Sequence, residues 1–226
     1  VVEVGSNDGY LLQQFKQKGY SVLGIDSSNE ISNIARTNGI DTITALFDAR
    51  VAQNVLSIRG PASLIVANNV FNHANDPLAF ANGVSKLLSN DGIFVFEVPY
   101  WLSMIRSGRF VDMVYHEHPS YFTIKSCWNL LHQCGLEIVD YNIVDYHGGS
   151  LRVVAKKSAN RGMPDKVVNA IQEETADGLF SVEFYKSLQH KFESAKIQWL
   201  SNFYALLKND PGAVVIGVGA AAKANT

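Results

Sequence analysis

Two histidines, a glutamate and two tyrosines crowd the seven positions Tyr115-His116-Glu117-His118-Pro119-Ser120-Tyr121. Such groups can move protons, imidazole and carboxyl near neutral pH, so the whole set is a candidate for general acid–base work. His116-Glu117-His118 also offers three metal ligands. Against that use, side chains alternate in direction along an extended loop, and the His-Glu-x-x-His spacing that brings two imidazoles to one helix face is absent. No metal is expected here. The residues alone leave a plainer alternative open, that either imidazole is a hydrogen-bonded structural group.

A second constellation opens the chain. Glu3-Val4-Gly5-Ser6-Asn7-Asp8-Gly9 follows a short apolar run and leads into a helical pattern at Tyr10. A tight strand-to-helix turn uses glycine where the backbone takes a positive φ or approaches a ligand. The spacing Gly5-x-x-x-Gly9 differs from the Gly-x-Gly-x-x-Gly that cradles a pyrophosphate. That speaks against NAD and favours a ligand without phosphates at this position, such as S-adenosylmethionine. Gly5, Ser6, Asn7, Gly9 and Tyr10 are its candidate contacts. Asp26 closes the second apolar run, where a carboxylate can accept hydrogen bonds from two ribose hydroxyls. Phe47 with Asp48, after the third run, would bracket an adenine, and Asn68-Asn69 ends the fourth at the edge where ligands of open α/β folds sit. Taken singly, the glycine turn is equally a structural turn and Asp26 equally a helix cap. Four such features in register carry the reading.

Only a sheet of parallel strands brings these groups to one edge. Short apolar runs near 1–5, 21–26, 41–44, 63–68 and 92–98 read as buried strands. Between them, residues 11–18, 30–38, 50–57 and 77–88 carry apolar side chains at helical spacing, with Asp8 and Ser28 as N-caps of the first two helices. Residues 99–122 read as a loop, 123–134 as a helix with Ile124, Cys127, Trp128 and Leu131 on its apolar face. Residues 137–146 and 150–155 read as an antiparallel pair joined at His147-Gly148-Gly149. From 165 to 208 the chain reads as helical, and the stripe Tyr185, Leu188, Phe192, Ala195, Trp199, Phe203, Leu206 is expected to pack in a core. The expected fold is α/β, a Rossmann-like sheet, mostly parallel with its last strand reversed. Residues 1–157 form the cofactor domain, 158–210 a helical connector and 211–226 the start of a second Rossmann-like lobe. Because Val1 already lies in a strand and residues 213–218 enter a glycine-rich turn, both ends read as cut.

The 226 residues are 47% hydrophobic and 18% charged, and 19 Lys plus Arg stand against 21 Asp plus Glu. That length buries most of a core without staples. The balance, without any basic run, excludes counterion-driven nucleic-acid binding. No apolar stretch reaches the roughly 18–20 residues of a bilayer span, and the chain reads as cytoplasmic. Cys127 and Cys134 lie seven apart in a helical segment, too far to be bridged, and read as small core residues. Paired Cys-x-x-Cys clusters, which would announce a structural zinc module, are absent from the chain.

Several blocks taken in order give a resemblance: Val2 to Leu12, Ala67-Asn68-Asn69-Val70, Tyr115-His116-Glu117-His118 with Ser120-Tyr121-Phe122, Gly148-Gly149-Ser150-Leu151-Arg152, and Gly219-Ala220-Ala221-Ala222-Lys223. Together they resemble the nucleotide-sugar C-methyltransferases, which use S-adenosylmethionine to methylate a keto-sugar carbon in deoxysugar biosynthesis. The resemblance implies a class I methyltransferase sheet, a nucleotide-diphosphate sugar as substrate, and His118 as the base that removes a proton beside a keto group. It also implies Glu117 and Tyr115 as its helpers, with Tyr121, Ser150, Arg152, Lys223 and Asn225 as substrate contacts. A hairpin turn accounts for Gly149 equally well. Family members carry zinc in a small N-terminal domain, so zinc is implied only for a segment outside this chain. The sequence reads Lys223-Ala224-Asn225 where the family commonly has Lys-Gly-Asn.

Overall fold

A computed structural model of the chain describes residues 1–146, 148–159 and 162–218. Lys223 and Asn225, the Gly219–Lys223 block and His147 lie outside the described residues. The chain divides into two compact units, Val1–Ile171 and Gln172–Thr226.

The first unit is built on a seven-stranded sheet of β1 (Val2–Val4), β2 (Leu23–Asp26), β3 (Thr42–Thr44), β4 (Ala62–Asn68), β5 (Leu88–Pro99), β6 (Leu136–Val144) and β7 (Ser150–Lys157), in the order β3-β2-β1-β4-β5-β7-β6. Strands β1 to β5 pair in parallel, and β7 is inserted antiparallel between β5 and β6. This is the expected Rossmann-like sheet with its last strand reversed. The apolar runs are continuous because helices cover the sheet: α1 (Tyr10–Gln17), α2 (Asn29–Thr37), α3 (Ala49–Arg59), α4 (Pro77–Leu87) and α7 (Ile124–Gln133). Leu12 of α1, Ala35 of α2 and Ile40 pack in one cluster.

Side-chain caps start several of these helices. Ser28 Oγ accepts the Ile31 N–H at 3.4 Å, and Thr123 and Ser126 form a reciprocal capping box on α7. Asp8 does not cap α1. Gly9 occupies that position with φ +82°, and Asp8 Oδ1 takes the Tyr10 N–H instead. Asp48 caps α3: its Oδ1 accepts the Arg50 and Val51 N–H groups, which holds the carboxyl below its usual range, and the residue also lines the cavity described below.

Residues 99–122 are more ordered than a loop, containing α5 (Trp101–Arg106) and α6 (Phe110–Met113). Both ends of this segment are pinned: Tyr100 N–H donates to Gly149 O, and Trp101 N–H to Phe122 O, each at 3.0 Å. Cys127 and Cys134 are buried and free. Trp128 is only half-buried and stacks on His132, so the apolar face of α7 is narrower than expected.

The expected single helix over 165–208 is two, α8 (Asp165–Ala176) and α9 (Val182–Asn209), because Gly178 turns at φ +81° and Ser181 starts a new cap. No residue of α9 is buried, Trp199 and Leu206 being more than 60% exposed, so the expected core stripe is a surface among the described residues. Residues 213–218 form no strand: a strand needs a neighbour for its N–H and C=O groups, and none pairs with them among the described residues.

Candidate functional site

Successive strands end on the same side of the sheet, so their following turns meet around a cavity of about 380 Å³. Its walls come from Val4 and Gly5 after β1, Asp26 and Ser27 after β2, Ala45 to Asp48 after β3, and Val70 with His73 to Asp76 after β4. Gly5 has φ +70°, and a Cβ there would sit 2.9 Å from Val70 Cβ, so only glycine leaves the wall as it is. Phe47 is buried edge-on to Phe80, centroids 5.0 Å apart, making an apolar wall.

Asp26 holds the turn in shape. Its Oδ2 accepts the Asn7 N–H and its Oδ1 the Ser28 N–H, both at 2.9 Å, which fixes Asn7 in a left-handed conformation at φ +49°. Each oxygen keeps a further lone pair for a hydroxyl. The other turn residues do not line the cavity. Ser6 is buried with its Oγ unpartnered, Gly9 caps α1 against Ile40, and Tyr10 is 71% exposed. Asn68 is exposed, and Asn69, at φ +53°, donates its N–H to Glu97 O while its Oδ1 is buried without a partner. Beneath the turn, Glu3 is buried on β1 with Oε2 unpartnered. Burial pushes its carboxyl up to about 8, and the negative charges of Asp26 and Asp8 add to the rise.

The Tyr115–Tyr121 loop folds against the cavity through His73. His73 lines the cavity, sits at one end of a 3₁₀ turn (Phe71–His73), shares its Nδ1 with Glu117 O at 2.7 Å, and meets the His118 ring edge-on at 4.7 Å. Phe71 anchors that turn, fully buried among Phe80, Phe94, Phe96 and Phe122. A polar residue two positions beyond a buried aromatic, just past a strand's carboxyl end, is the signal that marks His73.

His118 is buried to 7% exposure, with Nδ1 3.1 Å from Met113 O and Nε2 2.9 Å from the Tyr115 hydroxyl. A carbonyl only accepts, so in the neutral ring Nδ1 carries the proton and Nε2 accepts from Tyr115. Burial pushes the Tyr115 phenol up, with the Glu117 charge adding to it. His116 and Glu117 are solvent-exposed. Tyr121 donates to Met113 O at 3.4 Å and lies against Trp101. Ser150 is fully buried, its hydroxyl donating to Tyr146 O within the β6–β7 hairpin. Arg152 pairs with buried Glu97 on β5, Nη2 to Oε2 2.8 Å. The structure thus joins Tyr115, Glu117, His118 and Tyr121 in one loop, and gives Ser150 and Arg152 partners of their own. No group of three or more His, Cys, Asp or Glu able to hold a metal occurs among the described residues. No helix there is long and apolar enough to cross a membrane.

Comparison with known proteins agrees with this fold. Residues 1–141 match the family model described as a methyltransferase domain, and residues 145–226 the one described as a C-methyltransferase C-terminal domain. The chain is 34% identical over 224 residues to the C-methyltransferase NovU of Streptomyces niveus, covering 99% of this chain and 53% of that protein. It is 19% identical over 158 residues to a ubiquinone biosynthesis O-methyltransferase of Colwellia psychrerythraea, covering 65% of this chain and 64% of the relative. The chain therefore spans about half to two thirds of these relatives. Among solved structures, the magnesium protoporphyrin IX methyltransferase of Synechocystis with bound SAH superimposes with a TM-score of 0.55 at 15% identity, over 70% of this chain and 73% of that one. With a family model covering 141 of its 226 residues, the chain belongs to the methyltransferase-domain family.

Proposed function

We propose that the protein transfers a methyl group from S-adenosylmethionine to a carbon next to the keto group of a nucleotide-linked sugar, with His118 as the base. The cavity fits the cofactor: Gly5 lets the backbone approach, Phe47 and Phe80 offer an apolar slot for an adenine, and Asp26 presents carboxylate oxygens to ribose hydroxyls. When bound, the cofactor supplies an electrophilic methyl on a sulfonium. The residues of this chain have to deprotonate the sugar carbon, stabilise the enolate oxygen and keep water out.

The observation that carries this reading is the His118 environment. Met113 O holds the Nδ1 proton, which leaves Nε2 basic, and His73 ties the ring to the cavity wall. In this reading Tyr115 gives up its hydrogen bond to Nε2 when substrate arrives and donates to the developing oxyanion. That frees Nε2 to take the carbon's proton. Tyr121, Ser150, Arg152, Lys223 and Asn225 are the candidates for holding the sugar and its diphosphate, and the resemblance and the 34% identity to a C-methyltransferase support them.

His118→Asn is expected to keep cofactor binding by calorimetry and to lower turnover by a factor on the order of 10²–10⁴. Near-normal turnover would remove His118 as the base.

A further inference from the structure

Glu3 has no role in the chemistry above, yet it is a buried carboxyl beside the cavity. Its side chain is 6% exposed and lies on the β1 face shared with Gly24 of β2 and Val66 of β4. One carboxyl oxygen has no hydrogen-bond partner, and the nearby Ser6 turn hydroxyl has none either. The charges that act on Glu3 are Asp26 of β2 and Asp8 of the turn, both negative. Cations on the neighbouring elements are engaged elsewhere: the Val1 ammonium donates to Ser21 O, Lys16 to Gly39 O, and Arg36 to Thr42 O and Asn33. Asp41, just before β3, pairs with Arg59. A buried carboxyl facing only carboxylates is stable when protonated, and a cation arriving nearby reverses that preference.

Such a cation has an obvious place to arrive. Asp26 both acts on Glu3 and lines the cavity, and Val4 and Gly5 follow Glu3 directly into the cavity wall. S-Adenosylmethionine carries a positive sulfonium and an ammonium; its demethylated product keeps the ammonium but has a neutral sulfur.

We propose that Glu3 is a proton-linked positioning residue of the cofactor turn: it holds a proton in the free protein and releases it to solvent when S-adenosylmethionine binds, and releases less when S-adenosylhomocysteine binds. This rests on the cofactor reading of the cavity. Its consequence is that loss of the sulfonium charge at methyl transfer draws a proton back onto Glu3, so that affinity for cofactor relative to product rises with pH.

The test is titration calorimetry of the protein with each ligand at about pH 7, in buffers of different ionisation enthalpy, which counts protons released. The wild type is expected to release on the order of half a proton with S-adenosylmethionine and clearly less with S-adenosylhomocysteine. Glu3→Gln is expected to bind both with that difference abolished. Equal proton counts for the two ligands in the wild type overturn the proposal without any variant being needed, and so does an undiminished difference in Glu3→Gln. Failure of either ligand to bind overturns the cofactor reading itself, whereas binding without the proton difference overturns only the role of Glu3.

Discussion

Glutamine in place of Glu3 keeps the size and hydrogen-bonding reach of the side chain and removes its titration. Below the ordinary carboxyl value of 4.5 the group is neutral in both folded and unfolded chains, and between 4.5 and about 8 only the unfolded chain ionises. The unfolded state then binds fewer protons than the folded one, so stability is fully present below 4.5 and is lost as pH rises towards 8. With Glu3 only 6% exposed, solvent screens little of this effect. The loss should be on the order of 1 kcal/mol per pH unit and a few kcal/mol across the window. Glu3→Gln should therefore gain on the wild type steadily from about pH 5 to about pH 8. Denaturant unfolding in a Trp199→Phe background reads this at Trp101 and Trp128, both in the first compact unit. Parallel pH dependence in the two proteins would refute the reasoning, because it would mean that Glu3 ionises in the fold as easily as in the unfolded chain.

Further outcomes follow from the same geometry. Asp26→Asn loses the carboxylate that accepts both the Asn7 and Ser28 N–H groups, and should weaken S-adenosylmethionine binding by about 1.5–3 kcal/mol, measured by calorimetry. Gly149→Ala puts a Cβ 2.5 Å from Ser103 Cβ at φ +116°, and should cost about 1–3 kcal/mol by thermal denaturation, partly restored by Ser103→Gly. Tyr115→Phe removes the hydroxyl at His118 Nε2, and should leave cofactor affinity intact while lowering turnover by roughly 10- to 100-fold.

Strands β1, β2, β4 and β5 were legible because each holds a buried apolar run bounded by turn residues, whereas β3, Thr42-Ile43-Thr44, is a partly buried edge strand read from its place in the alternation of strands and helices. Gly5, Asp26 and Phe47 were legible for a related reason, since each stands at the carboxyl end of a strand, where sheet geometry alone brings turns together. What local pattern could not show was set by distant contacts. Segment 101–106 is helical in the structure because Tyr100 is tied to Gly149 and Trp101 to Phe122, residues far away in sequence. Asp48 shows that a carboxylate after a strand can serve in two ways, since it caps the following helix and also lines the cavity. His73 escaped notice because nothing adjacent to it ionises, and its partners, Glu117 and His118, lie more than forty residues on. On α9 the three- and four-residue spacing identified a helix correctly, but such spacing does not say what covers the stripe.

The proposed activity places the methyl group on carbon, not on oxygen or nitrogen. The decisive measurement is to incubate the protein with S-adenosylmethionine carrying a ¹³C-labelled methyl and a thymidine diphosphate-linked 4-keto sugar, and to read the product by NMR. A labelled methyl bonded to the ring carbon beside the keto group is expected, formed by the wild type and nearly lost in His118→Asn. A labelled methoxy signal, or a C-methyl product formed at full rate without His118, would contradict it.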